Sequence, residues 1–156
     1  MNRTTPLVSI ILPTKNRVKL LPKAIDSVLA QTFTDWELNV IDNSSNDETD
    51  RLMNEYSASD CRIKYSRIPN SNIPGISQYL NYGINNSTGK YIARLDDDDK
   101  WCFPDKLLVQ VDFLESHSDY VLVGGGVIMV DSNNTELYRF YKRETDQDIR
   151  NNALLA

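Results

Sequence analysis

Apolar and polar positions follow two different periods along the first 117 residues. Short apolar runs rich in β-branched residues predict strands, and apolar residues spaced three to four positions apart predict helices. The predicted strands cover 7–13, 36–42, 63–68 and 90–95, and the helical stripes lie within 21–29, 52–56, 76–84 and 107–114. Alternating strands and helices form βαβ units, so we expect an α/β fold whose mostly parallel sheet carries helices on both faces.

The rest of the chain predicts different elements. Residues 121–130 are apolar and indicate a buried strand, although three glycines within it suggest a bend. Residues 131–134 predict a turn into a further strand at 137–141, and 146–156 predict a helix. Residues 43–48 supply N-cap side chains for the helix that follows them.

Composition and charge narrow the classes of function. A chain of 156 residues with 40% hydrophobic and 25% charged residues is ordinary for a globular domain. Its net charge of −5 disfavours general nucleic-acid binding, which needs a basic face. Two cysteines without metal-ligand spacing and the lack of a long apolar run predict a reduced, cytoplasmic chain with no transmembrane segment. The single histidine, His117, is expected near a helix end, which disfavours histidine-based catalysis.

Four consecutive aspartates, Asp96 to Asp99, directly follow the strand predicted at 90–95. Crowded carboxylates repel one another and raise one another's pKa. A divalent cation relieves this repulsion, and Mg²⁺ and Mn²⁺ prefer such oxygen ligands together with substrate phosphates. A solvated acidic loop is the alternative interpretation.

Three polar segments follow predicted strands, at 13–17, 42–45 and 96–99. Parallel strands bring such segments to one edge of the sheet, where ligands of open α/β sheets bind. The first two segments suit a nucleotide base and ribose, and the aspartates suit a metal on its diphosphate. Neither a Gly-x-Gly-x-x-Gly motif nor a P-loop is present, which disfavours those two nucleotide sites.

Three blocks of the chain resemble the family 2 glycosyltransferases, which have the Rossmann-like GT-A fold. The blocks are 8–32, 37–49 and 89–110, the last with the aspartates in place of the family's DxD motif. The resemblance implies a single domain over 1–156. Within it, residues 7–117 form the nucleotide-sugar-binding core, and residues 118–156 begin an acceptor-side region that is incomplete here.

The resemblance also implies roles for particular residues. Asp98 is expected as the direct metal ligand, with Asp96 and Asp99 as further candidates, and Asp96 and Asp97 also face the nucleotide sugar. The residues expected to border the nucleotide are Pro13, Thr14, Asn16, Arg17 and Asp42. Asn43 replaces the family's usual second aspartate, which keeps hydrogen bonding but removes a charge. Residues 72–77 stand where the family has a loop near the donor.

The implied reaction is an inverting, Mn²⁺- or Mg²⁺-dependent transfer of a sugar from a nucleotide diphosphate. The donor is first expected to be a UDP-sugar, and the acceptor to be a hydroxyl of a saccharide or a lipid-linked molecule at the inner face of a membrane. An inverting enzyme needs a base for that hydroxyl. Asp131 is the only carboxylate near the right region, so we expect the chain to bind donor and to transfer sugar poorly alone.

Other interpretations stay open from the sequence. A non-catalytic nucleotide-sugar or protein-binding module explains the same residues, and a Mg²⁺-dependent phosphohydrolase or nucleotidyltransferase also uses aspartates at strand ends. A shortened GT-A unit exposes apolar surface, for which a homodimer is one outcome.

Overall fold

A computed structural model describes residues 5–46, 48–69 and 75–140. The chain forms two compact units, which divide between Asp112 and Phe113. The helix predicted at 146–156 and residues 72–74 of the expected donor loop lie outside the described residues.

The first unit contains a parallel sheet of four strands. Its elements are β1 Val8–Thr14, α1 Leu21–Leu29, β2 Trp36–Asn43, α2 Thr49–Ser59, β3 Ile63–Ile68, α3 Ser77–Asn85, β4 Tyr91–Arg94 and the start of α4 Lys106–Ser116. The strand order is β3-β2-β1-β4, with every pair parallel. Strands β2 and β3 are added on one side of β1, and β4 is added on its other side. The strand order therefore reverses between β1 and β4, and open α/β sheets bind ligands at such a point.

Helices cover both faces of this sheet, as the alternating pattern predicts. Side chains of β1 that alternate along the strand, such as Ile10, share one buried cluster with residues of α1, α2 and α4. On the other face, Ile11 and Ile41 pack with Tyr79 of α3. The helix approaches closely at Gly83, where a Cβ atom would lie 2.6 Å from Cγ2 of Ile11.

The start of β4 is held tightly against β1 and β2. At Gly89 a Cβ atom would lie only 2.7 Å from the backbone nitrogen of Ser9. The buried carboxylate of Glu37 accepts hydrogen bonds from the Ser9 hydroxyl at 2.6 Å and the Thr88 N–H at 2.9 Å, and it pairs with Lys64. Burial opposes the ionisation of Glu37, but these partners outweigh it and lower its pKa to about 2.

The second unit contains an antiparallel hairpin of β5 Val127–Val130 and β6 Glu136–Phe140. The predicted turn between these strands is confirmed. The prediction of one buried strand over 121–130 is wrong, because only its last four residues pair and Val121 is 94% exposed. Glycines 124–126 interrupt that apolar run, and glycine weakens strand interiors.

Helix ends confirm one prediction and leave another open. His117 directly follows the last residue of α4, as expected. Glu48 is the N-cap of α2 and makes no side-chain capping bond, so the predicted capping chemistry is not seen in the described part of that segment. Within the described residues, no helix combines the length and apolar content needed to cross a membrane.

Candidate functional site

The carboxyl ends of β1, β2 and β4 lie at one edge of the sheet. Thr14 at the end of β1 is in register with Asp42 of β2, and Ile11 is in register with Arg94 at the end of β4. The three polar segments singled out in the sequence therefore leave the sheet side by side.

The loop after β1 binds directly to the acidic loop after β4. The Thr14 hydroxyl donates a 2.7 Å hydrogen bond to Oδ2 of Asp97, and Arg17 Nη1 lies 3.1 Å from its Oδ1. The same Arg17 nitrogen also contacts Asp98. Asp97 is only 7% exposed, and burial raises its pKa despite the opposing bond from Thr14. This aspartate thus joins the two loops.

The loop after β1 also binds the loop after β2. The Asn16 N–H donates to Oγ of Ser45 at 2.8 Å, and the Asn46 N–H donates to Oδ1 of Asn16 at the same distance. Asn16 and Ser44 both have positive φ angles, of 54° and 48°. Such conformations are costly outside glycine and often occur at functional sites. All three loops are therefore connected through the residues that follow β1.

Asp42 and Asn43 have different environments. Asp42 is fully buried, and its carboxylate accepts hydrogen bonds from the Ser45 N–H at 3.0 Å, from the Ser45 hydroxyl and from Tyr65 at 2.8 Å. Asn43 Oδ1 is also buried, yet no described residue donates to it. Buried acceptors without a donor are uncommon in proteins. Asp42 is thus bonded within the protein, whereas the buried Asn43 Oδ1 has no described donor. The nucleotide-binding role of Asp42 stays a prediction.

Arginines neutralise much of the acidic cluster. Arg94 forms a two-pronged pair with Asp96, at 2.9 and 3.0 Å, and Arg17 bridges Asp97 and half-exposed Asp98. Burial, followed by the charges of its neighbours, raises the pKa of Asp99. Sequence reasoning gave Arg94 no role. Its position two residues before Asp96 was the available signal, because a long arginine side chain can reach a carboxylate so near in the chain.

A second missed residue, Gln31, supports the segment after the acidic loop. Its buried side chain donates to the Phe103 carbonyl at 3.1 Å and accepts from the Leu107 N–H at 3.1 Å. The neighbouring Thr32 N–H donates to the Pro104 carbonyl at 3.0 Å. The segment just after α1 therefore fixes the path of the chain from the aspartates into α4.

The carboxylates of the acidic loop fit a divalent cation that takes its remaining ligands from a diphosphate. Among the described residues, no three His, Cys, Asp or Glu side chains are arranged to hold an ion by themselves. Mg²⁺ sites of nucleotide enzymes use one or two carboxylates, and phosphate oxygens and water complete the shell. Asp98, with 50% of its side chain exposed, and its neighbours Asp96 and Asp99 offer such carboxylates.

Two other predicted residues have structural roles in the described chain. Pro13 is buried in β1, in register with Ile41. Asp131 belongs to the second unit, where its Oδ1 accepts hydrogen bonds at 2.8 Å from the Asn133 and Thr135 N–H groups of the hairpin turn. The catalytic role of Asp131 stays a prediction.

Comparison with known proteins identifies the family. Residues 9–155 match the family model described as glycosyl transferase family 2. The chain belongs to glycosyltransferase family 2.

Relatives within this family cover the same region. The chain is 41% identical over 128 residues to EpsE of Bacillus subtilis (strain 168), a protein named as a glycosyltransferase, and this match covers 81% of the chain. TuaG of the same organism, named for teichuronic acid biosynthesis, is 33% identical over 118 residues. The matches span 45% and 46% of these two relatives, so the chain corresponds to about half of their length.

A solved structure supports the fold. TarS residues 1–349 of S. aureus, in complex with UDP-GlcNAc, matches with a TM-score of 0.64 and 26% identity. The match covers 71% of this chain and 32% of TarS 1–349. The predicted GT-A fold of this family 2 glycosyltransferase chain is thereby confirmed.

Proposed function

We propose that this glycosyltransferase domain binds a nucleotide-diphosphate sugar together with Mn²⁺ or Mg²⁺, and that it supplies the donor side of an inverting sugar transfer. The observation that carries the proposal is the connection of three loops through Thr14, Asn16 and Arg17. It gathers the residues proposed for base, ribose, diphosphate and cation at the switch point of the sheet.

Each loop has a separate part in the proposed donor site. The loops after β1 and β2 border the nucleoside, and Asn43 Oδ1 accepts a hydrogen bond from the base. Uracil offers an N–H donor for that acceptor, and likeness to a TarS complex with UDP-GlcNAc makes a UDP-sugar the first candidate. Asp98 holds the cation, with Asp96 or Asp99 as additional ligands, and Thr14 keeps Asp97 in place beneath them.

The chemistry requires stabilisation of the departing diphosphate. A bound divalent cation neutralises the charge that develops there. The chain's own residues orient the donor and hold the acidic loop, which places the carboxylates before the reaction begins. Asp131 Oδ1 accepts two backbone hydrogen bonds of the hairpin turn, which disfavours Asp131 as the base. We propose that this chain binds the donor but transfers sugar poorly alone, with transfer to a saccharide or lipid-linked hydroxyl as the full reaction.

Calorimetric titration with UDP tests this function. We expect binding in the presence of Mn²⁺ and its loss in EDTA. ADP and inorganic pyrophosphate serve as matched ligands that share the diphosphate but lack uracil. Equal binding of all three ligands would contradict recognition of the base, and UDP binding that EDTA leaves unchanged would contradict the role of the metal.

Activity assays separate the proposal from its rivals. Incubation with UDP-sugars and a panel of acceptors should give little sugar transfer, and rapid turnover would contradict the proposed limitation. Release of phosphate or pyrophosphate from nucleotides would instead favour the phosphohydrolase or nucleotidyltransferase interpretation. Metal-dependent UDP binding with no transfer by any longer form of the protein would favour a non-catalytic module.

A further inference from the structure

Arg17 occupies the carboxylates to which a cation would bind. One of its nitrogens, Nη1, lies 3.1 Å from Asp97 Oδ1 and also contacts Asp98 Oδ2. The neighbouring Asn16 is tied to the loop after β2, so the guanidinium reaches the aspartates from a loop held at two points. The acidic cluster therefore has an internal positive charge at the oxygen proposed as a metal ligand.

A cation and this guanidinium compete for the same oxygen. Carboxylate oxygens have few lone-pair directions, and two positive charges in adjacent positions repel each other. Arg94 does not compete in this way for Asp98, because it pairs through two nitrogens with Asp96. A cation at Asp98 Oδ2 would displace Arg17, and a cation at the other oxygen of the same carboxylate would be repelled by the adjacent guanidinium, while Arg94 can keep its own partner.

We propose that Arg17 couples the binding of the metal to the binding of the nucleotide. Arg17 hinders the binding of free divalent cations to Asp98, and it moves away from Asp98 when a cation arrives with a nucleotide diphosphate. This inference rests on the proposed donor binding. The released guanidinium carries several N–H donors that suit diphosphate oxygens. Free cation has to displace Arg17 without compensation, whereas cation with diphosphate supplies new partners for it. Binding of metal and nucleotide is therefore mutually strengthening, and the strengthening is reciprocal.

The experiment measures the affinity for Mn²⁺ by electron paramagnetic resonance, without nucleotide and with saturating UDP. Arg17→Gln removes the charge, and Arg17→Lys keeps it. Arg51→Gln is the matched control, because it removes one arginine charge from an exposed pair with Glu48 in α2. Thermal unfolding of each variant checks that the fold is retained.

We expect Arg17→Gln to bind Mn²⁺ alone about threefold to tenfold more tightly than the unsubstituted protein. The gain in Mn²⁺ affinity on adding UDP should fall by a similar factor. Arg17→Lys should restore most of the original behaviour, and Arg51→Gln should change Mn²⁺ affinity by less than about twofold, since surface charges are screened by salt.

Two results would overturn the inference in distinguishable ways. If the unsubstituted protein binds UDP with Mn²⁺ but Arg17→Gln binds Mn²⁺ alone no more tightly than Arg51→Gln, the coupling role is wrong and the proposed function stands. If the unsubstituted protein shows no Mn²⁺-dependent binding of UDP, the proposed function fails and the inference fails with it.

Discussion

The hydroxyl of Thr14 donates a hydrogen bond of 2.7 Å to Asp97, although the two residues are 83 positions apart in the chain. Both groups are buried, and the bond joins the end of the central strand β1 to the acidic loop after β4. A hydroxyl donor stabilises the ionised form of a buried carboxylate. The charge state and the position of the acidic loop consequently depend on one small side chain at the end of a different strand.

Replacement of this donor should weaken donor binding. Thr14→Val keeps the shape of the side chain but leaves Asp97 without the hydroxyl, so the acidic loop loses both a positional restraint and stabilisation of its charge. We expect a loss of about 1 kcal/mol in the free energy of unfolding and about tenfold in affinity for UDP with Mn²⁺. Calorimetry and urea denaturation measure the two effects. Thr14→Ser retains the hydroxyl, and an equal loss in that variant would show that the methyl group, rather than the hydrogen bond, is responsible.

Asn43 should show opposite effects on binding and on stability. Asn43→Leu removes a buried acceptor that has no donor among the described residues, so the free energy of unfolding should stay within about 1 kcal/mol or rise. Affinity for UDP should fall by about tenfold, because the proposed bond to the base is lost. Asn39→Leu is the control, at a buried position of β2 where the side chain instead donates to Ser87 Oγ at 3.4 Å. UDP affinity that is equally reduced in both variants would argue against contact between Asn43 and the base.

Local patterns were sufficient to predict most of the first unit. The β-branched run that became β1 is buried throughout, and the spacing of Leu21, Ile25 and Val28 matches the buried face of α1. The pattern failed at 121–126, because an apolar run with three glycines does not reveal whether a partner strand is present. Local sequence thus predicts which segments form strands, whereas pairing depends on neighbours far away in the chain.

The side-chain pairs within the site could not be predicted from the sequence for the same reason. The sequence indicated that the acidic loop and the loop after β1 share an edge, but the bridge from Arg17 to Asp97 follows from the placement of β4 beside β1. Likewise, only the three-dimensional structure distinguishes Asp42, whose oxygens are bonded internally, from Asn43, whose oxygen has no described donor. The proposed roles of the individual site residues stay predictions until ligands are tested.

The Glu37 network should make stability depend on pH. Its pKa of about 2 in the folded chain lies below its ordinary value of 4.5. A depressed pKa stabilises the folded state above pH 4.5, and this contribution is lost as the pH falls through 4.5 towards 2. Glu37→Gln should therefore lower the free energy of unfolding by about 2 kcal/mol at pH 7, and the difference from the unsubstituted protein should shrink below pH 4.5. Urea denaturation between pH 2 and 7 measures it.

A control separates this network from the general effect of acid. Glu55→Gln changes an exposed residue of α2 and should have little effect at any pH in this range. If the difference between Glu37→Gln and the unsubstituted protein were the same at pH 2.5 and pH 7, the bonds from Ser9, Thr88 and Lys64 would not depend on the charge of Glu37.

Gly83 sets the distance between α3 and the sheet, and its replacement by alanine places two effects in opposition. Alanine favours a helix over glycine by about 1 kcal/mol. The added Cβ atom, however, would lie 2.6 Å from Cγ2 of Ile11 and 3.3 Å from Cγ1 of Ile41, both of which are buried in β1 and β2. Overpacking of a buried contact typically costs about 1–3 kcal/mol. The clash at Ile11 is short enough that we expect the overpacking cost to exceed the gain in helix propensity, with a net loss of about 1 kcal/mol in the free energy of unfolding.

Asn81→Ala, at an exposed position of the same helix, gains helix propensity without a clash and should be neutral or slightly stabilising in urea denaturation. A Gly83→Ala variant as stable as Asn81→Ala would mean that α3 can move away from the sheet at little cost.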